Sequence, residues 1–311
     1  MLAIRHHPTL HRMDQSARTE HIQERHLERH RDHAVILLHG LCGSGLELGT
    51  IPKALKKANC TVVEMQIPNY SAALTDHTVT PNWMDWCAMV ESKIVKLKEE
   101  HKTVSLCGLS MGATLALAVA SFSREILSVV LLSPVLKYDG WSIPWYHRWM
   151  NLPYMLGYRN WTYKESDPYG IKNFEMRRRV ANALKKDGVA AVGAAAIPAR
   201  YLWAAQKLMA YVRQSLPLVR ASTLVIHSID DETAAPRNAE MILENIKSEV
   251  RKVIWLGDCY HIITVDNERE IVTNEAVQFI KRNIEMHSND ISLKYLLHNS
   301  PLKDRRSVSA S

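Results

Sequence analysis

Six short apolar runs, AVILLHG, TVVEMQI, TVSLCGL, SVVLLSP, STLVIHS and KVIWLGD, recur between residues 34 and 258 and constrain the fold more than any other feature of the chain. Their apolar residues are continuous rather than alternating, as expected of strands buried on both faces. Helical periods separate most of them. Ile51, Leu55 and Ala58 recur at spacings of four and three beside Pro52, and Trp83, Val90, Ile94 and Leu97 follow Thr80 and Pro81, read as N-cap and first-turn proline. Another helix is expected to open at Asn267, with Glu270 in capping-box position, and to bury Ile271, Phe279 and Ile280. This alternation predicts an α/β fold: a mostly parallel sheet of about six strands flanked by helices.

One interval breaks the alternation. From Val135 to Arg220 no strand is evident, and two helical periods occur instead, one carrying Met176, Val180 and Leu184 and one carrying Leu202, Ala205, Met209 and Val212. We therefore expect residues 135–220 to form a helical cap inserted into a core made of residues 34–134 and 221–285. Residues 1–33, rich in histidine, arginine and glutamine, read as a polar arm, and residues 286–311 as a disordered tail.

Composition narrows the function. The 311 residues, 47% of them apolar, suffice for a substantial core. Five cysteines without a CxxC pair argue against a disulfide framework or a zinc site and point to a reducing compartment. No apolar run resembles a signal-peptide core, and the most hydrophobic helix, Ala113 to Val119, is far shorter than the ~20 residues a membrane span needs. The expectation is a cytoplasmic protein without a stable membrane anchor. Its +7 formal charge is dispersed, and the densest cluster, MRRRVANALKK, alternates with an apolar stripe, which argues against nucleic acid as a partner. The pair His26 and His30 has helical spacing but reads as solvated, so no metal is expected.

The stretch SLCGLSMGATLALAVA places Ser110 between Gly108 and Gly112, where a strand turns into a helix. A serine at such a tip tends toward a strained backbone, and flanking glycines remove side chains that would collide with the strand and helix. Its hydroxyl would stand at the carboxyl end of the sheet, where open α/β folds bind ligands. A serine nucleophile needs a base and a carboxylate on loops at the same edge. Asp230 and Asp231 directly follow one predicted strand, and His261 lies just beyond the next. Alone, either aspartate would serve as a turn cap and His261 as an ordinary loop histidine; the three residue types in order, each after its own strand, carry the functional reading.

Together the motifs ILLHGLCGSG, LCGLSMGA, DDETAAP and HIITVD resemble those of the α/β-hydrolase superfamily, and more closely its bacterial carboxylesterase and monoacylglycerol lipase group, over residues 34–284. That resemblance implies an α/β-hydrolase fold and, through the D-E-x-x-x-P spacing, selects Asp231 as the catalytic acid beside Ser110 and His261. It also implies an oxyanion hole made by the backbone N–H groups of Leu41 and Met111. His39 is read as a packing and hydrogen-bonding residue of its loop. The sequence departs from the group's pattern at Tyr260, where a glycine usually precedes the base, and at Ala113, where a second glycine is common.

The expected reaction is hydrolysis of a carboxylic ester through an acyl-enzyme, without cofactor; a thioesterase, an acyltransferase, a carbon–carbon bond hydrolase or a non-catalytic binding protein are the alternatives on this fold. The substrate is expected to be a small ester with an apolar acyl or alkyl chain, with Trp141, Trp145, Trp149 and Met150 of the cap as candidate binding residues. Cys42 and Cys259, near the site in sequence, are read as packing residues.

Overall fold

The computed structural model describes residues 32–76, 78–144, 154–164, 166–187, 189–190, 193–194 and 196–299. Six strands, β1 (His33–Leu38), β2 (Thr61–Glu64), β3 (Thr103–Leu109), β4 (Ile126–Leu132), β5 (Ser222–Ser228) and β6 (Arg251–Leu256), form one parallel sheet in the order β6-β5-β4-β3-β1-β2. Leu38 pairs with Gly108, Leu109 with Leu132, Leu132 with Ile226 and Leu256 with Ser228. The carboxyl ends of the five strands β6, β5, β4, β3 and β1 are thereby level, and the loops that follow them open at one edge.

The continuous apolar runs have a direct cause. Ile36, Leu38, Leu106, Val129 and Leu131 pack on one face, against α2 (Trp83–Glu100), α3 (Met111–Phe122), α5 (Ala199–Ser215) and α6 (Arg237–Asn245). Their neighbours Val35, Leu37, Cys107, Leu109, Val130 and Leu132 pack on the other, against α1 (Ile51–Lys57) and α7 (Arg269–Asn299). Strand residues alternate in direction, so a sheet covered on both sides requires an apolar residue at every position. The α3 helix is buried all round, from Met111 to Ser121, because it lies between the sheet, α2 and α5.

Several boundaries differ from those expected. The N-cap of α2 is Asn82, not Thr80: its side chain accepts a hydrogen bond from the Met84 N–H, leaving Pro81 outside the helix. Helix α7 starts at Arg269, which turns Val272 into the core and leaves Ile271 47% exposed. It also runs on to Asn299, so residues 286–299 are helical rather than part of a tail. The arm at 1–31 and residues 300–311 lie outside the described residues.

The inserted segment is also smaller than expected and contains strands. Thr162–Lys164 pairs antiparallel with Ala196–Pro198, and Val189–Ala190 with Gly193–Ala194; strands this short carry no readable period. Helix α5, assigned to the cap by its place in sequence, belongs to the core. Its face of Ala204, Ala205, Leu208, Met209 and Val212 packs within the cluster that contains α3. The cap proper, carrying α4 (Phe174–Asp187), is stitched to the core by polar contacts. Asn238 accepts from the Leu136 and Lys137 amides, and the buried Asp266, which also accepts from the Tyr260 amide of its own loop, accepts from the Lys172 and Asn173 amides of the cap. Among the described residues no helix is long and apolar enough to cross a membrane.

Candidate active site

Ser110 sits at the tip between β3 and α3 with φ 57° and ψ −119°, a conformation that L-residues rarely adopt. A Cβ on Gly108 would lie 2.3 Å from the Gly112 carbonyl oxygen, and a Cβ on Gly112 would lie 2.2 Å from that of Leu38. Each glycine is therefore required by a backbone approach, which is why the serine stands between two of them. The Ser110 N–H donates to the Leu132 carbonyl at 2.8 Å and anchors the turn to β4.

The loops after β5 and β6 bring their side chains to this tip. His261 Nε2 lies 2.8 Å from Ser110 Oγ, and His261 Nδ1 lies 2.8 Å from Asp231 Oδ2. An ionised carboxylate only accepts, so Nδ1 carries the ring proton and Nε2 is left to accept from the serine hydroxyl. Asp231 is 2% exposed, and its Oδ1 accepts from the Thr233 and Ala234 amides at 2.9 and 2.8 Å. Burial alone would push its pKa up, but the attraction and hydrogen bond of His261, the neighbouring His227 and the Ala234 amide outweigh burial and hold it below the ordinary 3.8. Asp230 turns the other way, to Lys172 Nζ at 2.8 Å, with its side chain 49% exposed.

Leu41 and Met111 line a cavity of about 90 Å³ together with Ser110, His261 and Glu232, and the cap contributes Tyr138, Tyr169 and Ile197. Met111 is the first residue of α3, where amides lack intrahelical acceptors. A larger depression of about 490 Å³, lined by Lys98, Arg124 and Arg220 among others, lies at the opposite end of the strands. It is lined by none of Ser110, Asp231 and His261.

Trp141 is 61% exposed; its indole N–H donates to the Asp230 carbonyl and its ring meets Tyr260 edge-on, outside the cavity's lining. Trp145, Trp149 and Met150 fall outside the described residues. Tyr260, in place of the usual glycine, lies under Lys172 and Arg177 of the cap at 5.7 and 6.0 Å. All five cysteines are buried and none is in a disulfide, and burial pushes the Cys107 and Cys259 thiols up to about 12, far from a thiolate at neutral pH.

Three residues of the site are absent from the sequence reading. His227, on β5, places Nε2 2.8 Å from the Ala234 carbonyl and 3.4 Å from Asp231 Oδ2. Glu232 accepts from the His261 main-chain N–H at 3.0 Å; burial, with Asp231 beside it, pushes its pKa up to about 7 against the opposing pull of His261. Glu47 accepts from the Gly40 N–H at 2.7 Å. The signal for His227 was available, since a histidine inside a fully buried strand must find a partner; the two glutamates have no local pattern.

A strained serine after β3, a carboxylate after β5 and a histidine after β6, on a parallel sheet with this strand order, place the molecule among the α/β-hydrolases. The chain belongs to the serine aminopeptidase, S33, family, whose profile matches residues 29–269. It is 25% identical to a thermostable monoacylglycerol lipase of a Bacillus species over 252 residues, covering 80% of this chain and 90% of the relative. It is 21% identical to a carboxylesterase of Bacillus subtilis, covering 81% and 93%. The solved monoacylglycerol lipase of Paleococcus ferrophilus superposes with a TM-score of 0.67 at 18% identity, over 80% of this chain and 94% of that one.

Proposed function

We propose that this protein is a serine ester hydrolase acting on carboxylic esters with an apolar acyl chain. The observation that carries the reading is the unbroken relay from Ser110 Oγ through His261 to Asp231, with 2.8 Å at each step. The relatives named as a monoacylglycerol lipase and a carboxylesterase support the ester class.

In this reading His261 Nε2 takes the Ser110 proton as the oxygen attacks the ester carbonyl, and the Leu41 and Met111 amides hold the developing oxyanion. His261 then returns the proton to the departing alcohol. Water, deprotonated by the same nitrogen, cleaves the acyl-enzyme and releases the acid. Asp231 keeps the Nδ1–H tautomer and stabilises the imidazolium, and its buried Thr233 and Ala234 hydrogen bonds keep it ionised for that role. The 90 Å³ cavity accommodates the reacting ester group; a longer chain extends beneath the cap.

Turnover of p-nitrophenyl esters of graded chain length, of a monoacylglycerol and of the matching acyl-CoA tests this. Ester turnover with fluorophosphonate labelling of Ser110 is expected; preference for the thioester would move the protein to the alternative class, and an unlabelled, inactive protein would refute the enzyme reading.

A further inference from the structure

The amide of Leu41 follows Gly40, the residue type with the widest backbone freedom, on a loop beyond the last ladder pair of β1. Oxyanion stabilisation depends on a donor whose direction is set in advance. Both peptide planes that meet at Gly40 are pinned. In the plane before it, the Gly40 N–H donates to Glu47 Oε2 at 2.7 Å and the His39 carbonyl accepts from the Tyr70 hydroxyl at 2.7 Å. In the plane after it, which contains the Leu41 N–H, the Gly40 carbonyl accepts from His39 Nδ1 at 2.7 Å and from the Gly43 N–H at 3.0 Å.

Glu47 is 3% exposed, and the space for its carboxylate is cleared by the loop itself. A Cβ on Gly43 would meet the two carboxylate oxygens at 2.2 and 2.4 Å, and one on Gly40 would meet Oε2 at 3.0 Å and Ser110 Cβ at 3.7 Å. The same residue reaches the other half of the site. Its main-chain carbonyl accepts from the hydroxyl of Thr264, on the loop that carries His261, and a Cβ on the following Gly49 would lie 2.3 Å from the Thr264 carbonyl oxygen.

We propose that Glu47 is a positioning residue for the oxyanion hole: its carboxylate, seated on Gly40, fixes the direction of the Leu41 amide, while its main-chain carbonyl ties that loop to the loop of the catalytic histidine. The proposal rests on the triad reading above. It assigns Glu47 no proton transfer and no contact with substrate; its effect passes through the backbone, so it bears on the tetrahedral state more than on ground-state binding.

The test compares E47L and E47Q with the wild type in kcat, KM, and affinity for two ligands: a substrate-shaped trifluoromethyl ketone, which forms the tetrahedral oxyanion, and the product carboxylic acid. E47L is expected to lower kcat and weaken the ketone by about 30-fold, less than the outright loss of a donor, while KM and product affinity stay within about threefold. E47Q, whose amide oxygen still accepts from Gly40, recovers most of that loss. Should E47L not fold, G43A displaces the carboxylate by the 2.2 Å approach and is expected to reproduce the drop in kcat, with no further drop when combined with E47A, which has no head group for the new Cβ to displace. Wild-type kcat in E47L or G43A, equal weakening of ketone and product, or E47Q as impaired as E47L would overturn the proposal. An active S110A enzyme would instead overturn the triad reading, independently of Glu47.

Discussion

His227 and Asp231 are joined at 3.4 Å beneath the triad, on the same carboxylate oxygen that His261 reaches at 2.8 Å. The 2.8 Å contact to the Ala234 carbonyl requires a proton on His227 Nε2, and burial holds the ring's pKa below 6.5, so the side chain is neutral, with its N–H given to Ala234 and the positive end of its dipole 3.4 Å from Asp231 Oδ2. His227→Leu removes that dipole. We expect kcat to fall about tenfold with KM within twofold, since the interaction steadies a charge that matters most when His261 is protonated. Steady-state ester kinetics decide it, and an unchanged kcat would leave His227 a packing residue only.

Ser110→Ala should preserve the fold and lower kcat by roughly a million-fold, with loss of fluorophosphonate labelling. Intact-mass measurement after probe treatment reads the label directly.

The two adjacent aspartates separate cleanly. Asp231→Asn disturbs the histidine tautomer and should lower kcat about 10⁴-fold. Asp230→Asn loses only the half-exposed Lys172 pair, whose solvent screening predicts a change in kcat within about twofold. A reversal of this ranking would reassign the acid.

Glu232 contributes a pH dependence of known sign. Its folded pKa, about 7, lies above the ordinary 4.5, so the fold favours the protonated form. The stability this confers is full below about pH 4.5 and is lost as pH rises through about 7. Glu232→Gln cannot ionise, so its stability relative to the wild type should rise by about 3 kcal/mol between these limits. Urea denaturation of both proteins at pH 5, 6, 7 and 8 measures it, and parallel curves would contradict the assignment.

Gly112→Ala sets a Cβ 2.2 Å from the Leu38 carbonyl, a backbone atom that side-chain rotation cannot clear. We expect a loss of about 3 kcal/mol and a sharp fall in activity, because relieving the overlap shifts the Ser110 turn. A melting temperature equal to the wild type would show that the helix and strand have more room than this geometry allows.

Much of this architecture was legible from local pattern. All six sheet strands fall on the continuous apolar runs, STLVIHS coinciding residue for residue with β5. What escaped were elements whose identity depends on distant partners. Helix α5 has an ordinary amphipathic period, which says that it buries a face but not that the face lies on α3 rather than on a cap. Trp141, chosen as an aromatic suited to an apolar chain, is held outward by its hydrogen bond to the Asp230 carbonyl.

By itself the chain's order of residues determined the strands, the glycine-flanked turn and the succession of serine, carboxylate and histidine. Each of these follows from short-range causes: the pleat's alternation, the steric demand of a tight turn, and the placement of a loop after its own strand. Tertiary structure alone decided that Asp230 turns away to Lys172, that His227 lies beneath Asp231, and that Glu47 meets Thr264 across 217 positions of sequence. Buried polar groups are satisfied through space, and strand register, not proximity along the chain, sets which of them meet.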